Sequence, residues 1–289
     1  MRFIPFITIV SFLAGASGAV SAADAEWMDL YTESMGLYQN GSVSAAASLA
    51  EKALRSANRS GQDATPVMAF LGQVYISLGR LDEAERILDR VVGLHEGRSE
   101  TEELGVSLER LASLYYAQDL FTKSEDYRKK SLAVYENVLG ANHPHVATAL
   151  NNLAYYYTTR GRLDEAEPMF LRALIIREGV YGEDHPKVSV VLNNLGLLYI
   201  KQKRYEEAEG HLLRAIEIKE AAFGPNHSEL ATPLNNIGDL YYESRGCGEA
   251  LPLYQRAYAI LSNLNDETHP YMTILENKIV GMCKASIGG

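Results

Sequence analysis

Apolar residues recur at helical spacing through most of this chain. One helical face is formed by residues at positions i, i+3, i+4 and i+7: Leu150, Leu153, Ala154 and Tyr157. Gly161 follows and permits the backbone conformation that ends a helix. A second face with similar spacing comes next: Ala166, Phe170, Ala173 and Leu174. The pattern therefore predicts two antiparallel helices joined by a short turn, with the small side chains of Ala154 and Ala166 allowing them to approach closely.

This pair of helices is repeated along the sequence. His143, His185, His227 and His269 are each 42 residues apart, and the text between them recurs as "LNNLA", "LNNLG" and "LNNIG". A weaker copy begins at Thr101, and two shorter copies precede it. The predicted boundaries of the six copies are 24–61, 62–100, 101–142, 143–184, 185–226 and 227–268. Residues 269–289 predict a lone capping helix and a tail.

The residues of this pattern resemble the tetratricopeptide repeat, in the 42-residue form typical of kinesin light chains. The resemblance extends from residue 25 to about residue 268. It implies an all-α fold, a right-handed solenoid of stacked antiparallel helix pairs closed by a C-terminal capping helix. It also implies a concave surface lined by the first helix of each pair.

The repeated histidines predict helix starts. His143 and His185 each precede a proline, which is the residue favoured at the first helical position. Equivalent positions of successive repeats lie on the order of 10 Å apart or more, whereas Zn–N bonds are about 2 Å long. The four histidines therefore do not form one metal site, and the sequence predicts no metal and no cofactor.

A row of asparagines is the main candidate site. At about 100° per residue, Asn152 lies opposite the apolar face of its helix, and Asn194 and Asn236 hold the same place in the next two repeats. These three predict a ladder along the groove, flanked by Asn151, Asn193 and Asn235. An amide can pair with any peptide backbone, and the resemblance implies peptide contact here. The alternative is that these asparagines only bridge neighbouring helices.

The charged and apolar residues at other groove positions indicate which kind of ligand is expected. Arg110 and Lys201 are the only cations on this stripe, and acidic residues such as Asp239 oppose them, so a clamp for an acidic C-terminus is disfavoured. Tyr155 and Leu197 predict contact with apolar or aromatic ligand side chains. Further apolar groove candidates are Phe70, Val106, Tyr116, Val190 and Tyr242.

The two cysteines hold matching core positions at one edge of adjacent units. Cys247 opens a second helix, and Cys283 is placed to end the capping helix. In an oxidising compartment a disulfide between them would join the cap to the last repeat. The alternative is two small buried thiols.

The N-terminal segment predicts export. Residues 1–23 contain Arg2, no acid, an apolar run and a tail of small residues, which is the layout of a secretory signal peptide. No later stretch predicts a membrane-spanning helix, so the mature chain is expected in the periplasm or secreted, without stable membrane insertion. The net charge of −10 disfavours nucleic-acid binding. Mixed charges such as "GRLDEAE" predict solvated helix faces.

These observations predict an exported, non-catalytic adaptor that binds a peptide or protein segment. No nucleophile elbow, phosphate-binding loop or HExxH motif is present in the sequence. Two alternatives stay open: a structural or self-assembling scaffold that forms homo-oligomers, and a binder of a non-protein envelope ligand.

Overall fold

A computed structural model describes residues 22–95, 100–263 and 270–282. Within these ranges the regular structure is entirely helical, which confirms the predicted all-α class. The α-helices are α1 (Ala22–Gln39), α2 (Val43–Arg59), α3 (Thr65–Ser77), α4 (Leu81–His95), α5 (Glu102–Ala117), α6 (Phe121–Leu139), α7 (Pro144–Thr159), α8 (Leu163–Tyr181), α9 (Pro186–Lys201), α10 (Tyr205–Phe223), α11 (Ala231–Arg245), α12 (Cys247–Ser262) and α13 (Pro270–Asn277). A 3₁₀ turn (Ser228–Leu230) precedes α11, and a π-helical turn (Lys278–Met282) follows α13.

The chain divides into two compact units. The first is Met1–Val138 and contains the pairs α1/α2, α3/α4 and α5/α6, and the second is Leu139–Gly289 and contains α7/α8, α9/α10, α11/α12 and α13. Most of the predicted signal peptide and His269 lie outside the described residues. None of the described helices is both long enough and apolar enough to cross a bilayer.

Small residues set the close packing within each pair. Ala154 and Ala166 are fully buried, as is Phe170 beside them. In the next repeat Gly196 takes the place of Ala154, and a Cβ there would lie 2.5 Å from Leu212 Cγ. A Cβ at that distance would have to displace Leu212, so the Leu212 side chain packs directly on the backbone of Gly196. Burying Phe170 contributes about 1.5–3 kcal/mol, which is typical of a large apolar side chain.

The turn inside each pair needs a left-handed residue. Gly161 adopts φ 76° there, as predicted for the residue that ends the first helix. Asp119 and Lys203 hold the same place in their repeats with φ 59° and 61°, a conformation that costs a non-glycine residue energy. The fold therefore imposes this turn even where the sequence lacks glycine.

The histidines that recur every 42 residues cap helices, as predicted. The Nδ1 atoms of His143, His185 and His227 accept the backbone N–H two residues later at 3.2, 3.1 and 3.3 Å. Two of these rings also stack on an aromatic ring of the preceding helix, Tyr181 with His185 and Phe223 with His227, at 4.9 Å between centroids. Each histidine thus satisfies one free donor at the helix start, and His185 and His227 also join that start to the preceding repeat.

The helix α13 packs against α12. Met272 and Leu275 of α13 are buried against the last pair. Val280, in the turn after α13, occupies the repeat position that holds Ala154, Gly196 and Gly238 earlier in the chain. The three earlier residues are small and allow the close approach of a second helix, whereas valine is larger. The predicted C-terminal helix, stacked on the last helix pair, is therefore confirmed.

Candidate functional site

The predicted ladder asparagines occupy one side of α7, α9 and α11, which we call the asparagine face. It is formed by the residues opposite the apolar stripe of these helices: Thr148, Asn152, Tyr155, Thr159, Val190, Asn194, Leu197, Lys201, Thr232, Asn236, Asp239 and Glu243. Asn152 and Asn194 are partly exposed, whereas Asn236 is buried. The flanking asparagines Asn151, Asn193 and Asn235 are also buried.

The two rows of asparagines bond to each other across repeats. Asn194 Nδ2 donates to Asn151 Oδ1 at 2.9 Å, and Asn236 Nδ2 donates to Asn193 Oδ1 at 2.9 Å. Within a repeat, Asn193 Nδ2 lies 3.5 Å from Asn194 Oδ1 and Asn235 Nδ2 lies 3.2 Å from Asn236 Oδ1. The amides therefore form one hydrogen-bonded chain that joins α7, α9 and α11, which is the bridging alternative left open by the sequence.

The chain of amides ends at a lysine. Lys278, in the turn after α13, donates to Asn235 Oδ1 at 2.7 Å and forms an ion pair with Asp239. Asp239 also accepts the Tyr254 hydroxyl at 2.7 Å and the Asn235 amide at 3.3 Å. Burial, with the neighbouring Asp239 carboxylate, raises the pKa of Tyr254 well above its ordinary value. Tyr254 therefore stays protonated and keeps donating to Asp239.

These bonds change the predicted role of Asp239. The sequence presents it as a groove residue open to a ligand, whereas in the structure its two oxygens accept three donors from the same chain. Sequence reasoning missed both Lys278 and Tyr254 as its partners. The sequence does indicate Lys278, because it follows Asn236 by the same 42 residues that separate the ladder asparagines.

Hydrogen-bonding capacity remains on the partly exposed amide of Asn194. An amide has two N–H donors and an oxygen with two lone pairs. One N–H of Asn194 donates to Asn151, and one lone pair of its oxygen accepts a hydrogen bond from Asn193. Asn194 can therefore hold its neighbours and still pair with a backbone group of a ligand.

Large apolar side chains stand beside these amides. Tyr155 is 45% exposed and Val190 39% exposed, and Leu197, which corresponds to Tyr155 one repeat later, is partly exposed. Exposed apolar groups next to fixed polar groups are typical of the centre of a recognition surface. The second unit thus presents an apolar strip with amide hydrogen-bonding groups along it.

In the first unit, Phe70 and Arg110 occupy the positions that correspond to the ladder asparagines. Phe70, which the sequence suggests as a ligand contact, is buried and packs edge-on against Tyr31 and Tyr38 with 5.6 Å between ring centroids. Burial lowers the pKa of the Arg110 guanidinium, and the nearby hydroxyls of Tyr31, Tyr135 and Tyr38 act in the opposite direction. The structure therefore places Arg110 in a tyrosine-rich setting, unlike the amide chain of the second unit.

Acidic residues of the second helices form a further contact between repeats. The Tyr199 hydroxyl donates to Glu167 at 3.1 Å, and the Arg204 guanidinium lies over the Tyr199 ring at 4.1 Å and donates to Glu167 at 2.8 Å. Burial opposes these bonds, but together they lower the pKa of the Glu167 carboxyl. Tyr241, Glu209 and Arg245 repeat the arrangement. The expectation that these acids are only solvated surface is wrong for Glu167 and Glu209.

Across residues 22–95, 100–263 and 270–282, no group of three or more His, Cys, Asp or Glu side chains is arranged to hold a metal ion. Cys247 opens α12 and is buried, as predicted. Cys283 lies outside the described residues, so its bridge to Cys247 stays a prediction.

Sequence comparison identifies the family. The tetratricopeptide repeat family matches residues 103–178, 146–221 and 190–263, and a second tetratricopeptide repeat model matches residues 37–100. These matches cover more than half of the chain. The chain therefore belongs to the tetratricopeptide repeat family, as its sequence pattern predicted. No curated protein matches this chain in sequence.

Several solved structures share the fold. BtubC (BKLC) from P. vanneervenii has a TM-score of 0.61 at 21% identity, covering 86% of this chain and 94% of that one. A putative kinesin light chain from Podosopora anserina has a TM-score of 0.57 at 21% identity, covering 68% and 95%. The apo form of RapI has a TM-score of 0.68 at 15% identity, covering 91% and 97%. At these identities the likeness shows a common fold of stacked helix pairs.

Proposed function

We propose that this chain is an exported, non-catalytic adaptor that holds a peptide segment of a partner protein against the asparagine face of its second unit. The tetratricopeptide repeat is a protein–protein interaction fold, which supports an adaptor in general. The observation that carries the specific proposal is the strip of exposed Tyr155, Val190 and Leu197 beside the partly exposed amide of Asn194. An extended peptide offers apolar side chains to the strip and backbone N–H and C=O groups to the amides.

The amide chain supports binding by being fixed before the ligand arrives. Asn194 is held by Asn151, so its remaining donor and lone pair point in a defined direction. A group that is already ordered loses little conformational entropy when a ligand binds. The face therefore suits a ligand recognised through its backbone and through a few apolar side chains.

A displayed peptide library, selected on the mature protein, tests this proposal. A selected peptide is labelled and its Kd measured by fluorescence anisotropy. We expect Val190→Asp to weaken binding at least tenfold, because it places a charge on the apolar strip. Val180→Asp is the matched control, since Val180 is 49% exposed on α8, away from the asparagine face. Equal affinity of the two variants would refute the proposed face.

Export is the second part of the proposal. It is supported by the arrangement of residues 1–23, with a single basic residue, an apolar run and a small-residue tail. The test is the intact mass of the protein recovered from the extracellular or periplasmic fraction of cells that make it. A mass matching cleavage close to Ala23 supports export, and recovery of the full-length chain from the cytoplasm refutes it.

A self-assembling scaffold is the second candidate function. The outer side of α8 and α10 exposes Leu171, Ile175 and Leu213, and Ile175 is 70% exposed. Exposed apolar side chains of this kind are typical of association surfaces. Sedimentation equilibrium of the purified protein over a wide concentration range tests it. A strict monomer throughout rules out this candidate, and an oligomer that Ile175→Asp dissociates supports it.

A further inference from the structure

The C-terminal helix keeps the register of the repeats. Lys278 follows Asn236 by 42 residues, and Asn277 follows Asn235 by the same interval. Lys278 Nζ donates to Asn235 Oδ1 at 2.7 Å, just as Asn236 Nδ2 donates to Asn193 Oδ1 at 2.9 Å. Lys278 therefore takes the fourth position of the ladder that begins with Asn152, Asn194 and Asn236, although it is not an asparagine.

An exposed apolar residue accompanies Lys278. Ile274 lies one helical turn before Lys278, on the same side of α13. It holds the repeat position of Thr232 in α11 and Val190 in α9. Ile274 is 44% exposed and Val190 is 39% exposed. The asparagine face therefore continues onto α13, with a further exposed apolar side chain in register.

The fourth position adds little net charge to the face. Lys278 is paired with Asp239, and its side chain is only 17% exposed. The Asn235 oxygen takes another of its hydrogens. Ile274 is therefore the part of this position that a ligand meets first, which favours an apolar ligand group over an acidic one.

We infer that α13 is part of the peptide-binding face, with Ile274 contacting an apolar side chain of the bound segment and Lys278 positioning Asn235 and Asp239. This inference rests on the proposed function. With packed helices about 8–10 Å apart, two repeats separate Val190 from Ile274 by roughly 20 Å. An extended peptide covers that distance in about six residues, and side chains an even number apart point the same way. The partner is thus an extended segment with two apolar side chains about six residues apart.

The peptide selected from the displayed library tests the role of Ile274. We expect Ile274→Asp to weaken its Kd at least tenfold. The matched control is Val180→Asp on α8, since Val180 is 49% exposed against 44% for Ile274, and this variant should leave the Kd unchanged. Alanine scanning of the peptide should find two sensitive apolar positions about six residues apart.

Lys278 is tested by a pair of substitutions. Lys278→Asn restores the residue that earlier repeats carry and can still donate to Asn235, so we expect it to bind the peptide within about twofold of the wild type. Lys278→Met keeps the aliphatic chain but removes the donor, and we expect at least a fivefold loss. Circular dichroism confirms that each variant is folded. A merely structural role would leave Kd unchanged in both folded variants.

The outcomes separate this inference from the proposed function. If Val190→Asp weakens binding while Ile274→Asp and Lys278→Met do not, the inference is overturned and the proposed function stands. If the selection yields no peptide, or Val190→Asp leaves the Kd unchanged, both are overturned. Loss of binding in Val190→Asp, Ile274→Asp and Lys278→Met, with Val180→Asp unaffected, supports both.

Discussion

The side-chain amide of Asn236 donates to the side-chain oxygen of Asn193 at 2.9 Å, across two adjacent repeats and inside the protein. The same geometry joins Asn194 to Asn151 one repeat earlier. Neighbouring asparagines in α7, α9 and α11 thus link successive repeats. Under the proposed function, stability and recognition depend on the same residues.

The buried amide pair should contribute measurably to stability. We expect Asn193→Ala to lower the free energy of unfolding by about 1–3 kcal/mol, because it leaves the buried Asn236 amide without its acceptor. Urea denaturation measures this. A double-mutant cycle with Asn236→Ala isolates the bond. Strictly additive costs in the cycle would show that the bond contributes nothing.

The close approach of α9 and α10 predicts a second effect. Gly196→Ala places a methyl group 2.5 Å from Leu212, so we expect overpacking to cost about 1–3 kcal/mol. Gly210→Ala is the control in the same helix pair. Nothing lies within 4 Å of its Cβ, and removing a mid-helix glycine should stabilise the protein by about 0.5–1 kcal/mol. Equal thermal shifts of the two variants would contradict the packing described for Gly196.

The left-handed turn residues predict a stabilising change. Lys203 has φ 61°, so Lys203→Gly should raise the free energy of unfolding by about 1 kcal/mol. The reverse change at the equivalent place, Gly161→Lys, should cost a similar amount because Gly161 has φ 76°. Thermal denaturation of both proteins measures the two shifts. Shifts of the same sign would mean that turn conformation does not govern these positions.

Alkaline pH should weaken the fold through Tyr75. Burial and the hydrogen bond to Glu51 raise the pKa of Tyr75 to about 12, against about 10 in the unfolded chain. Between these values the unfolded chain has lost a proton that the folded chain keeps, so stability falls as pH rises. Tyr75→Phe should flatten this decline from pH 10 to 12, measured by urea denaturation at several pH values. Identical slopes for the two proteins would contradict the shift.

The two cysteines give a test of the predicted cap. In protein recovered from an oxidising compartment, we expect Cys247 and Cys283 to resist alkylation until a reductant is added, because a bridge between them would join the cap to the last repeat. Intact mass before and after reduction measures the number of alkylated thiols. Two alkylated thiols without reductant would refute the bridge.

Much of the fold could be read from the sequence because the repeat is periodic. The 42-residue interval and the spacing of Ala154, Tyr157 and Phe170 determine which faces pack, since each helix must bury one apolar stripe. The capping histidines were also predictable, because their role depends on residues within one turn of His143 and His185. These features are local, so the sequence alone contains them.

The partners of the ladder asparagines were decided by the tertiary structure. The sequence places Asn152, Asn194 and Asn236 on one face but leaves open whether they bind a ligand or bridge helices. Which atoms meet depends on the spacing between stacked helices. The stacking of successive repeats brings the Asn236 amide to Asn193 and the Lys278 amine to Asn235. Likewise, the sequence predicts that Glu167 is solvated, whereas in the structure the stacked repeats bring Tyr199 and Arg204 within hydrogen-bonding distance of it.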